Sequence, residues 1–259
     1  MKTFTLSTGS SGNSFYVESS KGIKILVDCG LSFTKTKEIL EQKNISLKDL
    51  DAILITHEHS DHIFGLEQFI KNTNIPIYIS KGTYNALKFQ VEKEKTNLIN
   101  FVKHHDNFKI GDTTVLILNR AHDSKEAISF IFNDNHKKLG VFTDLGHIDN
   151  ESKHILKTLD IIYFETNYCD EIINEKKDSF HHTYINRLTS NIGHLSLSQA
   201  ITALKEFVNN NQTIILSHIS ENTNTYTNSY SKVKTALNTN GLYPNLQVGF
   251  QNESSEWYE

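Results

Sequence analysis

The sequence predicts an α/β fold, a four-layer αβ/βα sandwich in which two β-rich halves meet and each carries helices on its outer side. Three observations predict it. Short runs such as Ala52-Ile53-Leu54-Ile55 and Ile214-Ile215-Leu216 are apolar at every position, which suits strands buried on both faces. Segments of helical spacing follow them, as in Ile63, Leu66, Phe69 and Ile70. The same rhythm then returns in the second half without any recurring sequence, and layered packing of such units gives the sandwich.

In chain order, strands are expected at about 2–7, 14–19 and 23–28, then a helix near 34–43. Ser46-Leu47-Lys48-Asp49 has the character of a capping box ahead of the strand Asp51–Thr56. A helix over 61–72 leads to a strand Pro76–Ile79 and a second helix near 83–91. Strands follow near 113–119, 127–132 and 138–143, then a helix near 151–158 and the strand Asp160–Glu165. Ser196 and Gln199 form another capping box, for a helix through Ile201, Leu204 and Phe207 that ends before a strand at 213–217.

No Pro/Gly/Ser-rich linker or charge block divides the 259 residues, which reads as a single domain spanning 1–259. The amino terminus lacks the apolar stretch of a signal peptide, and no segment approaches the roughly 20 apolar residues of a membrane span. Two cysteines, Cys29 and Cys169, give no disulfide framework and suit a reducing cytoplasm. Cys29 is expected to be a small buried residue, turned away from Asp28 by strand alternation. The net charge of −4 and the scattered lysine pairs give no general electrostatic argument for nucleic acid. Bound divalent cations would add local positive charge, so a polyanionic substrate stays open.

Chemistry concentrates in Thr56-His57-Glu58-His59-Ser60-Asp61-His62, a strand-to-helix loop with four potential ligands in six residues. His57 and His59 can turn toward one point, Asp61 and His62 toward a second nearby. Imidazole and carboxylate donors without thiolate suit zinc, manganese or iron rather than a closed structural zinc site.

With this motif the chain resembles the metallo-β-lactamase superfamily of metallohydrolases. The resemblance extends to Asp28 after Ile25-Leu26-Val27, to His122 in Ala121-His122-Asp123-Ser124, to Asp144 closing Gly140-Val141-Phe142-Thr143, and to His218 after Ile214-Ile215-Leu216-Ser217. It implies the metallo-β-lactamase fold and two divalent metal ions, Zn or Mn with Fe as an option, and no other cofactor. One ion would be held by His57, His59 and His122, the other by Asp61, His62 and His218, with Asp144 bridging. Two such ions about 3.5–4 Å apart can share a hydroxide that attacks without a separate general base. Asp61 is thus both ligand and part of the catalytic apparatus. Asp28 is expected behind a ligand imidazole, fixing its tautomer.

The stretches SSGNS (10–14), DCG (28–30), ETN (165–167), GHLS (193–196) and SHISENTN (217–224) resemble the YycJ/WalJ branch, implicated as 5′→3′ DNA exonucleases. This implies DNA as partner, and His194 at the mouth of the site as a catalytic, substrate-facing residue that is not a ligand. Ser10, Ser11 and Asn13 lie in a turn whose N–H groups and hydroxyls are expected to form an anion-binding nest. Glu165 and Asn167 are expected to support the edge of the site at His194. Tyr168-Cys169-Asp170 departs from the branch's pattern, and 171–185 carries no transferable substrate contact. A small-molecule hydrolase of the same fold, acting on a thioester or lactone, is the alternative, favoured by the acidic charge. A metal-binding regulator without turnover is the third, disfavoured by ligand sets that leave a metal position open to water.

Overall fold

A computed structural model describes residues 1–259, with all side chains but that of Lys177. The first half runs β1 (Lys2–Ser7), β2 (Ser14–Glu18), β3 (Lys24–Val27), α1 (Phe33–Gln42), β4 (Ala52–Ile55), α2 (Ser60–Ile63), α3 (Leu66–Asn72), β5 (Ile77–Ser80), α4 (Lys81–Asn85) and β6 (Ile99–Val102). The second runs β7 (Asn107–Ile110), β8 (Thr113–Asn119), β9 (Ile128–Asn133), β10 (Lys138–Phe142), α5 (Asn150–Leu156), β11 (Ile161–Glu165), α6 (Asp170–Glu175), α7 (His182–Leu188), α8 (Leu197–Phe207), β12 (Thr213–Ser217), α9 (Tyr226–Thr239) and β13 (Asn245–Val248).

Six strands pair in the order β1 to β6, seven in the order β13 to β7. In each sheet an antiparallel meander hands over to parallel strands, β3 to β6 and β10 to β13. Parallel strands need crossovers, and these place helices on the outer faces. Strand alternation then builds three apolar layers from single runs. Ala52 and Leu54 face the other sheet, meeting residues such as Val141 and Ile215. Ile53 and Ile55 point out against Leu40 of α1 and Phe69 of α3. Ile214 and Leu216 likewise face Leu204 of α8 and Val233 of α9. This is the four-layer sandwich, and it explains why those runs show no polar face.

Two expectations need correction. The helix over 61–72 is two pieces, because the Gly65 N–H donates to the Cys29 carbonyl while the Asp61 and His62 carbonyls accept from the Asn13 and Cys29 N–H groups, which removes the helical rungs there. The helix at 83–91 ends at Asn85; Leu87, Phe89 and Val91 pack on the first sheet's outer cluster as irregular chain. The expected capping box of Ser46 and Asp49 is in place, on a short 3₁₀ turn at 47–49. Cys29 is buried among apolar side chains of that outer cluster.

Candidate metal centre

The carboxyl ends of β3, β4, β8, β10, β11 and β12 lie along one edge of the sandwich, and the chain beyond each end brings Asp28, the loop 56–62, His122, Asp144, Glu165 and His218 together. Asp28, Asp144 and His218 take left-handed backbone angles, with φ of 62°, 57° and 52°. Side chains other than glycine adopt this region at a cost, and such residues cluster at functional sites. A further close approach needs glycine: a Cβ on Gly30 would lie 1.9 Å from the Asp61 carbonyl oxygen and 2.3 Å from the Asn13 nitrogen.

Two groups of potential ligands result, His57 with His59 and His122, and Asp61 with His62, Asp144 and His218. In the first, His59 Nδ1 lies 3.0 Å from His57 Nε2 and 3.2 Å from His122 Nε2. In the second, His62 Nε2 is 3.4 Å from Asp61 Oδ2 and 3.2 Å from Asp144 Oδ2, and His218 Nε2 is 3.5 and 3.4 Å from Asp61 Oδ2 and Asp144 Oδ1. Asp144 also reaches the first group, its Oδ1 3.7 Å from His122 Nε2.

What stands behind these rings decides which nitrogen faces inward. His62 Nδ1–H donates to Asp28 Oδ2 (2.7 Å), His57 Nδ1–H to Thr56 Oγ1 (3.0 Å), His122 Nδ1–H to the Gly193 carbonyl (3.0 Å) and His218 Nδ1–H to Glu165 Oε1 (3.0 Å). Each partner assigns the tautomer that leaves an Nε2 lone pair for a cation. Thr56 in turn donates to Asp28 Oδ2 at 2.8 Å, so one carboxylate braces two rings. Asp144 Oδ2 is buried and, among the described residues, accepts no aligned hydrogen bond, with His62 Nε2 at 3.2 Å and Arg120 Nη1 at 3.8 Å as its charged neighbours. An orphaned carboxylate oxygen among converging lone pairs fits a bound cation, which would satisfy it.

Electrostatics divides the rings. Burial holds His57 well below the ordinary imidazole range and His122 at about 4. Burial also works against His62 and His218, but Asp144 and its neighbouring carboxylates outweigh it, lifting His62 well above the ordinary range and His218 to about 10. Glu165 is lowered to about 2, against burial, by His194 and His218.

His194 lines the cleft over the two groups, which has a volume of about 210 Å³. Its Nδ1 donates to Glu165 Oε1 at 2.7 Å, and its ring stacks on His218 with centroids 5.1 Å apart. A further ligand grouping of Asp144, Glu165, His194 and His218 therefore exists on paper. Glu165, however, already accepts from both rings and from the Leu145 and Leu195 N–H groups. It acts as a hub that orients two histidines, a role larger than the edge support read from sequence.

The backbone N–H groups around the start of α8, beside His194, are committed within the protein. The Ser196 N–H goes to Gln199 Oε1, the Leu197 N–H to the Tyr168 carbonyl and the Leu195 N–H to Glu165. Those donors are spent on the protein, and His194 leans on Glu165 instead.

The turn at 7–14 also differs from the expected nest. Ser10 lines the cleft, but the Ser11 N–H is taken by Gln251 Oε1 and the Gly12 N–H by the Gly9 carbonyl. Asn13 is fully buried, its Nδ2 donating to Asp61 Oδ2 at 3.1 Å, so it holds a carboxylate rather than facing substrate. Sequence reasoning missed Thr56 as a brace, and Tyr184, Arg187 and Asn222 as cleft residues. No periodic pattern marks any of them. On the surface, His104, His105 and Glu151 also gather. His104 Nδ1 accepts the Asn119 N–H, and His105 Nε2 lies 2.9 Å from Glu151 Oε1, so the group is held by its own hydrogen bonds as a surface clasp.

Comparison with known proteins places this geometry. The β-lactamase superfamily domain matches residues 24–219. The exodeoxyribonuclease YycJ of Bacillus anthracis is 30% identical over 220 residues, 85% of this chain and 82% of its own. The exodeoxyribonuclease WalJ of Streptococcus pneumoniae serotype 2 is 32% identical over 225 residues, 85% and 81% of the two chains. Among solved structures, the metallo-β-lactamase fold protein YhfI from Bacillus subtilis superposes with a TM-score of 0.71 at 15% identity, covering 99% of this chain and 98% of its own. No described helix is long and apolar enough to cross a membrane. The chain belongs to the metallo-β-lactamase superfamily, as a hydrolase that resembles YycJ and WalJ.

Proposed function

We propose that the protein is a dinuclear-metal phosphodiesterase acting on nucleic acid, a 5′→3′ DNA exonuclease of the cytoplasm, where Cys29 and Cys169 stay reduced. The observation that carries the metal reading is the set of four rings whose Nδ1–H groups are committed outward, with the orphaned Asp144 Oδ2 between the two groups. His57, His59 and His122 would hold one ion, Asp61, His62 and His218 the other, and Asp144 both. Two divalent ions, Zn or Mn with Fe as an option, would supply an activated water and neutralise phosphoryl charge. The chain's own residues supply the rest. Asn13 and Asp28 keep Asp61 and His62 from turning, at 3.1 and 2.7 Å. His194, with Nδ1–H on Glu165, leaves Nε2 to carry the proton that the departing oxygen needs, a contribution of about 10²–10⁴-fold. The exonuclease reading draws on the relatives named exodeoxyribonuclease at 30% and 32% identity.

A small-molecule hydrolase of the same centre is the second reading, favoured by the net charge of −4 and the small cleft of about 210 Å³. A metal-reconstituted assay comparing 5′- and 3′-labelled DNA, labelled RNA and a thioester separates the two. Stepwise release from the DNA 5′ end is expected; thioester turnover with intact DNA would replace the proposal with the alternative.

A further inference from the structure

We infer that α7 is the substrate-reading wall of the cleft, with Arg187 gripping a backbone phosphate and Tyr184 stacking a base of a single strand; this rests on the phosphodiesterase reading above. Arg187 gives its Nε–H and one Nη2–H to the two oxygens of Asp123, Nη2 at 3.1 Å. A guanidinium carries five N–H donors. Among the described residues no acceptor takes the other three, and the side chain is 54% exposed at the cleft. A planar fork fixed on one side and open on the other suits a phosphate oxygen pair better than a free lysine would.

The wall is anchored to the candidate metal centre. The Gly193 carbonyl accepts from His122 Nδ1, and the His194 N–H donates to the Leu188 carbonyl at 2.9 Å. Gly193 runs so close beneath α7 that a Cβ would lie 2.2 Å from the Arg187 carbonyl oxygen. Asp123 Oδ1 stands 3.3 Å from His122 Nε2, so the Arg187 fork is held within two side chains of the proposed ligands. Tyr184, one turn before Arg187, lines the same cleft, with Phe180 behind it at a ring distance of 5.8 Å. Arginine beside a half-buried aromatic face is the recurring chemistry of single-strand binding, tolerant of sequence because every base has a π-face.

The test compares a single-stranded DNA oligonucleotide with bis(p-nitrophenyl) phosphate in the metal-loaded enzyme. For Arg187→Ala, kcat/KM on the oligonucleotide should fall about tenfold or more beyond any fall on the small diester, mostly through KM. The slope of log binding against log salt should drop by about 0.7, the share of one single-strand phosphate. Tyr184→Ala should show the same split without the change in salt slope, and Tyr184→Phe should restore the oligonucleotide KM. Arg187→Lys, which keeps the charge without the fork, should fall between and guards against misfolding of the alanine variant, as does a melting curve for each. Equal losses on both substrates would mean that Arg187 only positions Asp123 and His122, and would overturn the inference while leaving the phosphodiesterase reading intact. A wild-type enzyme that cleaves neither substrate would sink both.

Discussion

Asp144 is the residue on which the proposal turns, because it touches both ligand groups and one of its buried oxygens accepts no aligned hydrogen bond among the described residues. Asp144→Ala is expected to bring metal content, by elemental analysis, from about two ions toward none, whereas His122→Ala should weaken chiefly one. A wild-type protein that never exceeds one ion under saturating Mn²⁺ or Zn²⁺ removes the dinuclear reading. His194 poses the complementary case. Its bond to Glu165 and its place in the cleft serve a proton on the leaving oxygen rather than a ligand bond. His194→Ala should keep metal content and melting temperature while kcat on a phosphodiester falls about 10²-fold or more. The fall should shrink on a nitrophenyl ester, whose leaving group needs no proton. Loss of metal from this variant would make His194 a ligand.

At the scale of elements, the site depends on loops that approach one another without side chains between them. Gly30 sits where the chain after β3 crosses the turn at Asn13 and the start of α2. In Gly30→Ala the new carbon would meet backbone atoms of Asp61 and Asn13, which cannot rotate away. The expected cost is about 3 kcal/mol, or roughly 6–12 °C in melting temperature, with weaker metal affinity because Asp61 is displaced. An unchanged melting curve would show that these loops yield more easily than the packing implies. Packing likewise decides which elements are legible in the sequence. Runs such as 52–55 and 214–216 announce themselves because burial on both faces removes every polar residue, whatever their neighbours. The break between α2 and α3 is invisible locally: Ile63, Leu66, Phe69 and Ile70 keep helical spacing straight through it, and the cause lies at Asn13 and Cys29, which take its hydrogen bonds. β6 and β7 are four residues each, too short for an alternation such as Asn107-Phe108-Lys109-Ile110 to stand out. α7 packs on a small cluster of its own with Tyr168 and Ile173, too few contacts to print a stripe in the sequence. The HxHxDH loop stood out because its donors are adjacent in the chain; Glu165 and Thr56 serve through space.

At the scale of the whole molecule, the centre couples metal, protons and stability. Asp144 and Asp61 sit well below the ordinary carboxylate range, against burial, because of the histidines around them. Their contribution is present above the unfolded carboxylate pKa and is lost as pH falls through the lower folded value. His218, raised to about 10, contributes stability that is full below about 6.5 and is lost as pH climbs to about 10. His122, held at about 4 by burial, works the other way: its neutral form favours folding above about 6.5, and that advantage drains away as pH falls toward 4. The metal-stripped protein should therefore be most stable near neutrality and lose stability on both sides. Cations need the lone pairs that protons occupy on His62 and His218, so loading must release protons and strengthen with pH. At a hundredfold excess over Kd the gain is about 2.7 kcal/mol, or roughly 5–10 °C for a chain of this size. Melting curves of chelator-treated and Zn²⁺- or Mn²⁺-loaded protein should separate by that amount at pH 8 and draw together at pH 5.5. Calorimetric titration in buffers of different ionisation enthalpy should count at least one proton released at pH 7.5. A metal-induced shift that is the same at both pH values, with no proton release, would mean that the cation binds somewhere other than these imidazoles.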